Sequence, residues 1–282
     1  MARWTTTSVA RAASRSASGR FLLRVARDLG RIQFVDRGMT LAAHAFTSIV
    51  PILIIAGALR SRLDSQTGPI FAEHLGLDAA TAEILQRSLP AGEQELRATG
   101  VIGIVLLVIA ATSFARALER SFRVIWHTPP NRLGFGWRWL AALAAVVIGL
   151  ALVIAARILV QGDGALTLLE FVIEVVLWSA LWWIASWIVI DRRVTLRELL
   201  PGSVLAGLGF AVAGIVGRAF LPLLLADSAH RFGVLGMTFA YIGWLLALAM
   251  ILLVAVTAGR VVHLTYAGRA WRQSASASAD RR

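Results

Sequence analysis

Six long apolar runs, joined by segments that are alternately rich and poor in arginine, constrain this chain more than any other feature. The runs fall at about 38–59, 99–115, 139–160, 165–190, 199–225 and 233–262. Each has at least about 17 residues, enough for a helix to cross a hydrocarbon core of about 30 Å. The N-terminal tail holds eight arginines, Arg116–Arg138 five, Asp191–Glu198 three and the C-terminal segment from Arg260 five, 21 in all. The other three connections hold four, none and one. By the positive-inside rule the first set faces the cytoplasm. The sequence therefore predicts an all-α, polytopic integral membrane protein with six transmembrane helices and both termini in the cytoplasm. Residues 1–37 read as an Arg-rich tail followed by an interfacial helix, and 38–265 as the transmembrane domain, with an outer loop over 60–98. Residues 266–282 read as a second cytoplasmic tail.

Composition narrows the function classes. Of 282 residues, 58% are hydrophobic, and the formal charge is +12. All 28 basic residues are arginine, which fits a codon bias better than any demand of binding chemistry. The charge sits beside helix ends, where it sets topology and attracts the anionic headgroups of a lipid bilayer. The basic segments lack interleaved aromatics and a recognition module, so no nucleic acid is expected as partner. No cysteine is present, which removes thiol catalysis, disulfides and thiolate metal sites. Residues 1–27 carry Arg and Ser and no acid, a composition shared by organellar transit peptides and disordered cytoplasmic tails. The unbroken arginine alternation after it favours the tail.

From Phe21 a new pattern begins. Phe21, Val25, Leu29 and Ile32 share one helical face, and Arg20, Arg24, Arg27 and Arg31 another. This predicts an amphipathic helix lying on the inner leaflet and leading into the first span. In the outer loop, Asp78 ahead of AATAEILQRSL reads as an N-capped short helix. Arg116, Glu119, Arg120 and Arg123 recur on one face, so the second span continues past the membrane until Trp126, His127 and Pro129 stop it. Trp183 and Trp187 mark an inner interface. Thr195 and Glu198 form a capping-box pattern at the start of the fifth span. Along that span Gly209, Ala213 and Gly217 recur every fourth residue, as do Ser203, Gly207 and Ala211. Small residues at this spacing let another helix come close, with Gly236 and Ala240 as expected mates.

Four ionisable residues lie inside apolar runs: Arg157, Glu170, Glu174 and Arg218. A charge at mid-membrane costs about 2.5–3.5 kcal/mol on insertion scales, so such residues face a bundle interior or a watery cavity. Arg157 and Glu170 fall at similar depth on either side of the hairpin near Asp163. Glu174 lies one turn deeper than Glu170, and Arg218 sits in the outer third of the fifth run. Three readings stay open: a salt-bridge network that fixes packing, a polar cavity for an ion or anionic amphiphile, and arginines that snorkel to the interface. A second polar group, His44 and Ser48 with Thr40 and Thr47, lies in the inner half of the first run. A proton relay there competes with a simple interhelical hydrogen bond. His74, His127, His230 and His263 lie in loops or at helix ends with no ligand spacing. No metal site, cofactor or catalytic motif is expected, and so no enzyme.

Several segments resemble the YihY/virulence factor BrkB family: DRGMTLAAHAFTSIVP over 36–51, FARALERSFRVIW over 114–126, LPGSVLAG over 200–207 and FGVLG over 232–236. Together they cover about residues 30–265. The first segment has His44 and Phe46 where the family carries an aromatic pair, and Arg260 stands where the family carries an acid. The resemblance implies a bacterial inner-membrane protein with six spans, tied to envelope integrity and serum resistance. Some members carry an old ribonuclease label, for which this sequence holds no catalytic constellation. The expected function is a transporter or exporter of an amphiphilic or small anionic solute. The alternative is a non-transporting scaffold that meets envelope partners through its basic cytoplasmic face.

Overall fold

A computed structural model describes residues 16–49, 51, 93–129, 141, 145–146, 148–149, 151–153, 155–156, 165–190 and 192–279. All secondary structure among them is helical. Helix α1 (Ala17–Arg31) starts where the Ser16 hydroxyl accepts a hydrogen bond from the Gly19 N–H at 2.9 Å. The chain then turns at Gln33, in the left-handed region at φ 52°, into α2 (Phe34–Thr47). Helix α3 (Glu93–Trp126) begins inside what the sequence assigned to the outer loop. Helix α4 (Ala165–Val189) and the long α5 (Leu196–Ala279) complete the described elements. The positions described between 141 and 156 are helical too, and Gly149 faces Leu181 of α4. The Asp78 segment and most of the third apolar run lie outside the described residues.

Among the described residues three stretches are long and apolar enough to cross a membrane: Val101–Trp126, Leu168–Val189 and Leu196–Thr265. The last has 70 residues, about 105 Å if straight. It is not straight. Gly233 takes φ 62° and ψ −147°, a conformation open in practice only to glycine. The helix folds back there into two limbs, 196–232 and 234–279. Gly202 meets Val256 and Gly259, Gly209 meets Ile251, and Gly217 meets Trp244, an antiparallel register that converges on the bend. The loop expected between the fifth and sixth runs is thus reduced to a kink at Gly233, with helix on either side of it.

The small-residue stripes do what their spacing predicts, against other partners. Gly207 lies on the α4 backbone at Val175 and Ser179. Gly202 and Gly259 abut so closely that a methyl group on Gly259 would run into the Gly202 backbone. Gly236 instead packs on Ser228 and Phe232 of its own bend, so it is not the mate of the stripe. Backbone approach of this kind is how apolar helices associate without a hydrophobic driving force between them.

The buried core gathers Leu41, Phe122, Ile125, Ile190 and Leu253 from α2, α3, the end of α4 and the second limb of α5. Three buried hydroxyls are satisfied locally, Ser121 on Ala117 O, Ser203 on Leu199 O and Thr257 on Leu253 O. Val101, Ile102, Ile104 and Val105 of α3 and Phe220 and Leu223 of α5 stand exposed. Such a surface is costly in water and matched to hydrocarbon.

Candidate functional site

Helix α4 carries apolar side chains on nearly every face, interrupted by Glu170 and Glu174 one turn apart. The first limb of α5 runs antiparallel beside it, held close by Gly207. Trp178 and Trp182 of α4 pack on Phe210 of that limb, with ring centroids 5.0 and 5.1 Å away. This contact sets the rotation of the pair, and both carboxylates face Arg218. A single guanidinium nitrogen, Arg218 Nη1, donates to Glu170 Oε1 at 2.9 Å and to Glu174 Oε1 at 3.4 Å. The three groups differ in exposure. Glu174 is 1% exposed, Glu170 20% and Arg218 47%. The cluster therefore grades from a buried carboxylate to a half-open cation.

Arg218 lies 15 residues before Gly233, about 22 Å and about four helical turns from the bend. Pro222 sits one turn closer to the bend. Having no N–H, it cannot donate to the Arg218 carbonyl, so the helix ladder is interrupted at the cluster itself. The structure brings Glu170, Glu174 and Arg218 together. Arg157 lies outside the described residues. An open cavity of about 490 Å³ runs along the two α5 limbs, lined by Leu205, Leu208, Val212, Val216, Trp244 and Ile251 among others. Its lining is apolar and includes none of the three charged residues.

The His44 group is resolved differently. The Thr47 and Ser48 hydroxyls both donate to the His44 backbone carbonyl at 2.9 Å. The ordinary tendency of hydroxyls to bond one turn back accounts for them. The Ser48 hydroxyl is thus engaged with the His44 backbone carbonyl.

A second set of charges gathers at the end of the bundle away from the Gly233 bend, and sequence reasoning missed most of it. Glu198 Oε2 accepts the Thr195 N–H at 3.1 Å, completing one arm of the predicted capping box. Its other oxygen faces His263 Nε2 at 3.5 Å, and the His263 ring lies 6.4 Å from that of Trp126. Asp28 of α1 meets Arg260 at 3.7 Å. Arg37 donates to Ile32 O at 2.6 Å and to Arg120 O at 3.4 Å. Burial, and then the Arg120 charge, hold the Arg37 guanidinium below its ordinary value. Trp183 Nε1 donates to Leu196 O at 2.7 Å, and Arg192 stacks on Trp187 at 4.4 Å. Both tryptophans therefore clasp the α4–α5 turn. Gln33, His127 and Arg192 all take positive φ at helix ends here. After α3 the Thr128 N–H bonds Arg123 O at 3.0 Å, a Schellman closure with His127 in the usual glycine place. Capping residues gave a signal for Glu198; no local pattern could pair Asp28 with Arg260.

Among the described residues no group of three His, Asp or Glu side chains could hold a metal ion. A family model for virulence factor BrkB matches residues 25–279, nearly the whole chain. No curated protein and no solved structure matches it.

Proposed function

This chain belongs to the virulence factor BrkB family, and on that footing we propose that it is a bacterial inner-membrane transporter or exporter of an amphiphilic or small anionic solute, with a role in envelope integrity. In this reading the chain crosses the membrane six times, with both termini in the cytoplasm. The arginine alternation supports this orientation, and the exposed apolar faces support a bilayer around the bundle. The observation that carries the transport reading is the Glu170–Glu174–Arg218 cluster. Charges within apolar helices are expensive and mark substrate or ion pathways by default. A half-exposed guanidinium suits recognition of phosphate or carboxylate. Two carboxylates one turn apart hold it in place and compete with an incoming anion for it. The reading assigns no bond-making chemistry to the chain.

The test removes the cluster as a unit. Arg218→Met with Glu170→Gln and Glu174→Gln leaves neutral side chains of similar size. The triple variant should reach the membrane folded and lose the envelope phenotype of the parent. A triple variant that folds and keeps full envelope function would end the transport reading and favour the scaffold. Orientation has its own check. Reporter fusions after Arg138 and Arg193 should report cytoplasm, and one within 73–95 the outside. A cytoplasmic signal from the long loop would overturn the span order.

A further inference from the structure

Helix α1 is amphipathic, and such a helix beside a membrane is expected to bury its apolar face in the leaflet. The structure uses that face otherwise. Val25 is buried against Ala258 and Val261 of α5, with Phe21 and Leu29 packed around them. Asp28 reaches Arg260 from the same side. The helix is therefore docked on the protein through the face that would otherwise insert. Arg20, Arg24, Arg27 and Arg31 of the same helix are exposed. Arg116 and Arg120 of α3 are exposed as well, at the level where Arg37 ties α2 to α3.

From this we infer that α1 and the neighbouring end of α3 form a docking surface for anionic lipid headgroups, which binds by charge and not by insertion. The inference goes beyond the transport reading and does not rest on it. Charge complementarity names the partner. Four arginines on one docked helix, at the end of a bundle whose flanks are apolar, sit where phosphate headgroups lie. Each basic side chain near an anionic surface contributes about 1 kcal/mol, roughly fivefold in affinity, before screening by salt. A protein partner of acidic character would need the same face, but the continuous bilayer is already beside it.

Electrostatic docking and insertion make opposite predictions. The full chain is purified in detergent and its retention of phosphatidylglycerol and phosphatidylcholine is counted by native mass spectrometry. The parent should retain the anionic lipid preferentially, and raising the salt concentration should strip it. Arg20→Gln, Arg24→Gln, Arg27→Gln and Arg31→Gln together should lower that retention more than tenfold while the melting temperature stays near the parent's, because these side chains are exposed. Leu22→Gln, at an exposed apolar position of the same helix, should change nothing. Inorganic phosphate at matched ionic strength should displace no more lipid than chloride does. The inference is overturned if the parent shows no headgroup preference, if the fourfold variant keeps its lipid, if Leu22→Gln releases it, or if phosphate alone displaces it. Loss of preference with envelope function intact would leave the transport reading standing.

Discussion

Glu174 and Asp28 are both carboxylates paired to an arginine on another element, yet their surroundings set very different stakes. Glu174 is 1% exposed and lies 3.4 Å from Arg218, deep along two apolar helices. Asp28 is 23% exposed and lies 3.7 Å from Arg260, where α1 meets the end of α5. A carboxylate taken out of water must be compensated by its partners, and removing one partner is punished severely. A carboxylate at a wet edge keeps its hydration, and its ion pair adds little. Among the described residues the expensive charges thus lie in mid-helix and the inexpensive pairs toward the ends, Asp28–Arg260 at the arginine-bearing end and Asp227–Arg231 beside the Gly233 bend.

Breaking the buried pair should have the largest effect. Arg218→Met removes the cation that Glu170 and Glu174 share and should cost about 3–5 kcal/mol of stability in detergent. Adding Glu170→Gln and Glu174→Gln should restore much of the loss. Equal melting temperatures for Arg218→Met and the parent would mean the cluster carries no buried charge. The close helix contacts come next. A methyl group at Gly207 would collide with α4, whereas at Gly243 it would meet nothing within 4 Å. Gly207→Ala should cost about 1–3 kcal/mol by overpacking. Gly243→Ala should be neutral or slightly stabilising in thermal melts. Matching losses would mean that α4 and α5 do not approach as described.

At the arginine-bearing end the effects shrink. Glu198→Ala removes a cap on α5 and the partner of His263, and should cost about 1 kcal/mol. Glu198→Gln, which can still accept the Thr195 N–H, should recover most of it. Failure to recover would shift the weight from the cap to the His263 contact. Asp28→Asn should be the mildest change, no more than about 1 kcal/mol and smaller still at high salt. A loss as large as that of Arg218→Met would erase the contrast between the two ends.

Much of this contrast is legible in the sequence. Span length and arginine alternation follow from hydrocarbon thickness and leaflet charge, which act on composition directly. The end of α3 at Trp126, the capping role of Glu198 and the small-residue stripes of α5 are local signals and needed no tertiary context. Arg218 was placed near Glu170 and Glu174 by depth alone. Depth could not say which side chains touch, because α4 is apolar around nearly its whole circumference and no polar face fixes its rotation. Gly207 on Ser179, and Phe210 between Trp178 and Trp182, set that rotation. The mate of the α5 stripe was likewise a matter of register, which the Gly233 bend imposes.

The sequence by itself determined that this chain lives in a membrane, that its helices pack by backbone contact, and that a few charges lie within apolar runs. Those properties depend on residue type and on spacing along one helix. The tertiary structure alone decided that one guanidinium serves two carboxylates, that Asp28 finds Arg260, and that α1 turns its apolar face to α5. Each of these joins residues far apart in the chain, and their meeting depends on how helices rotate and slide against one another. The hydrophobic pattern of a membrane helix leaves that rotation nearly free, and only packing settles it.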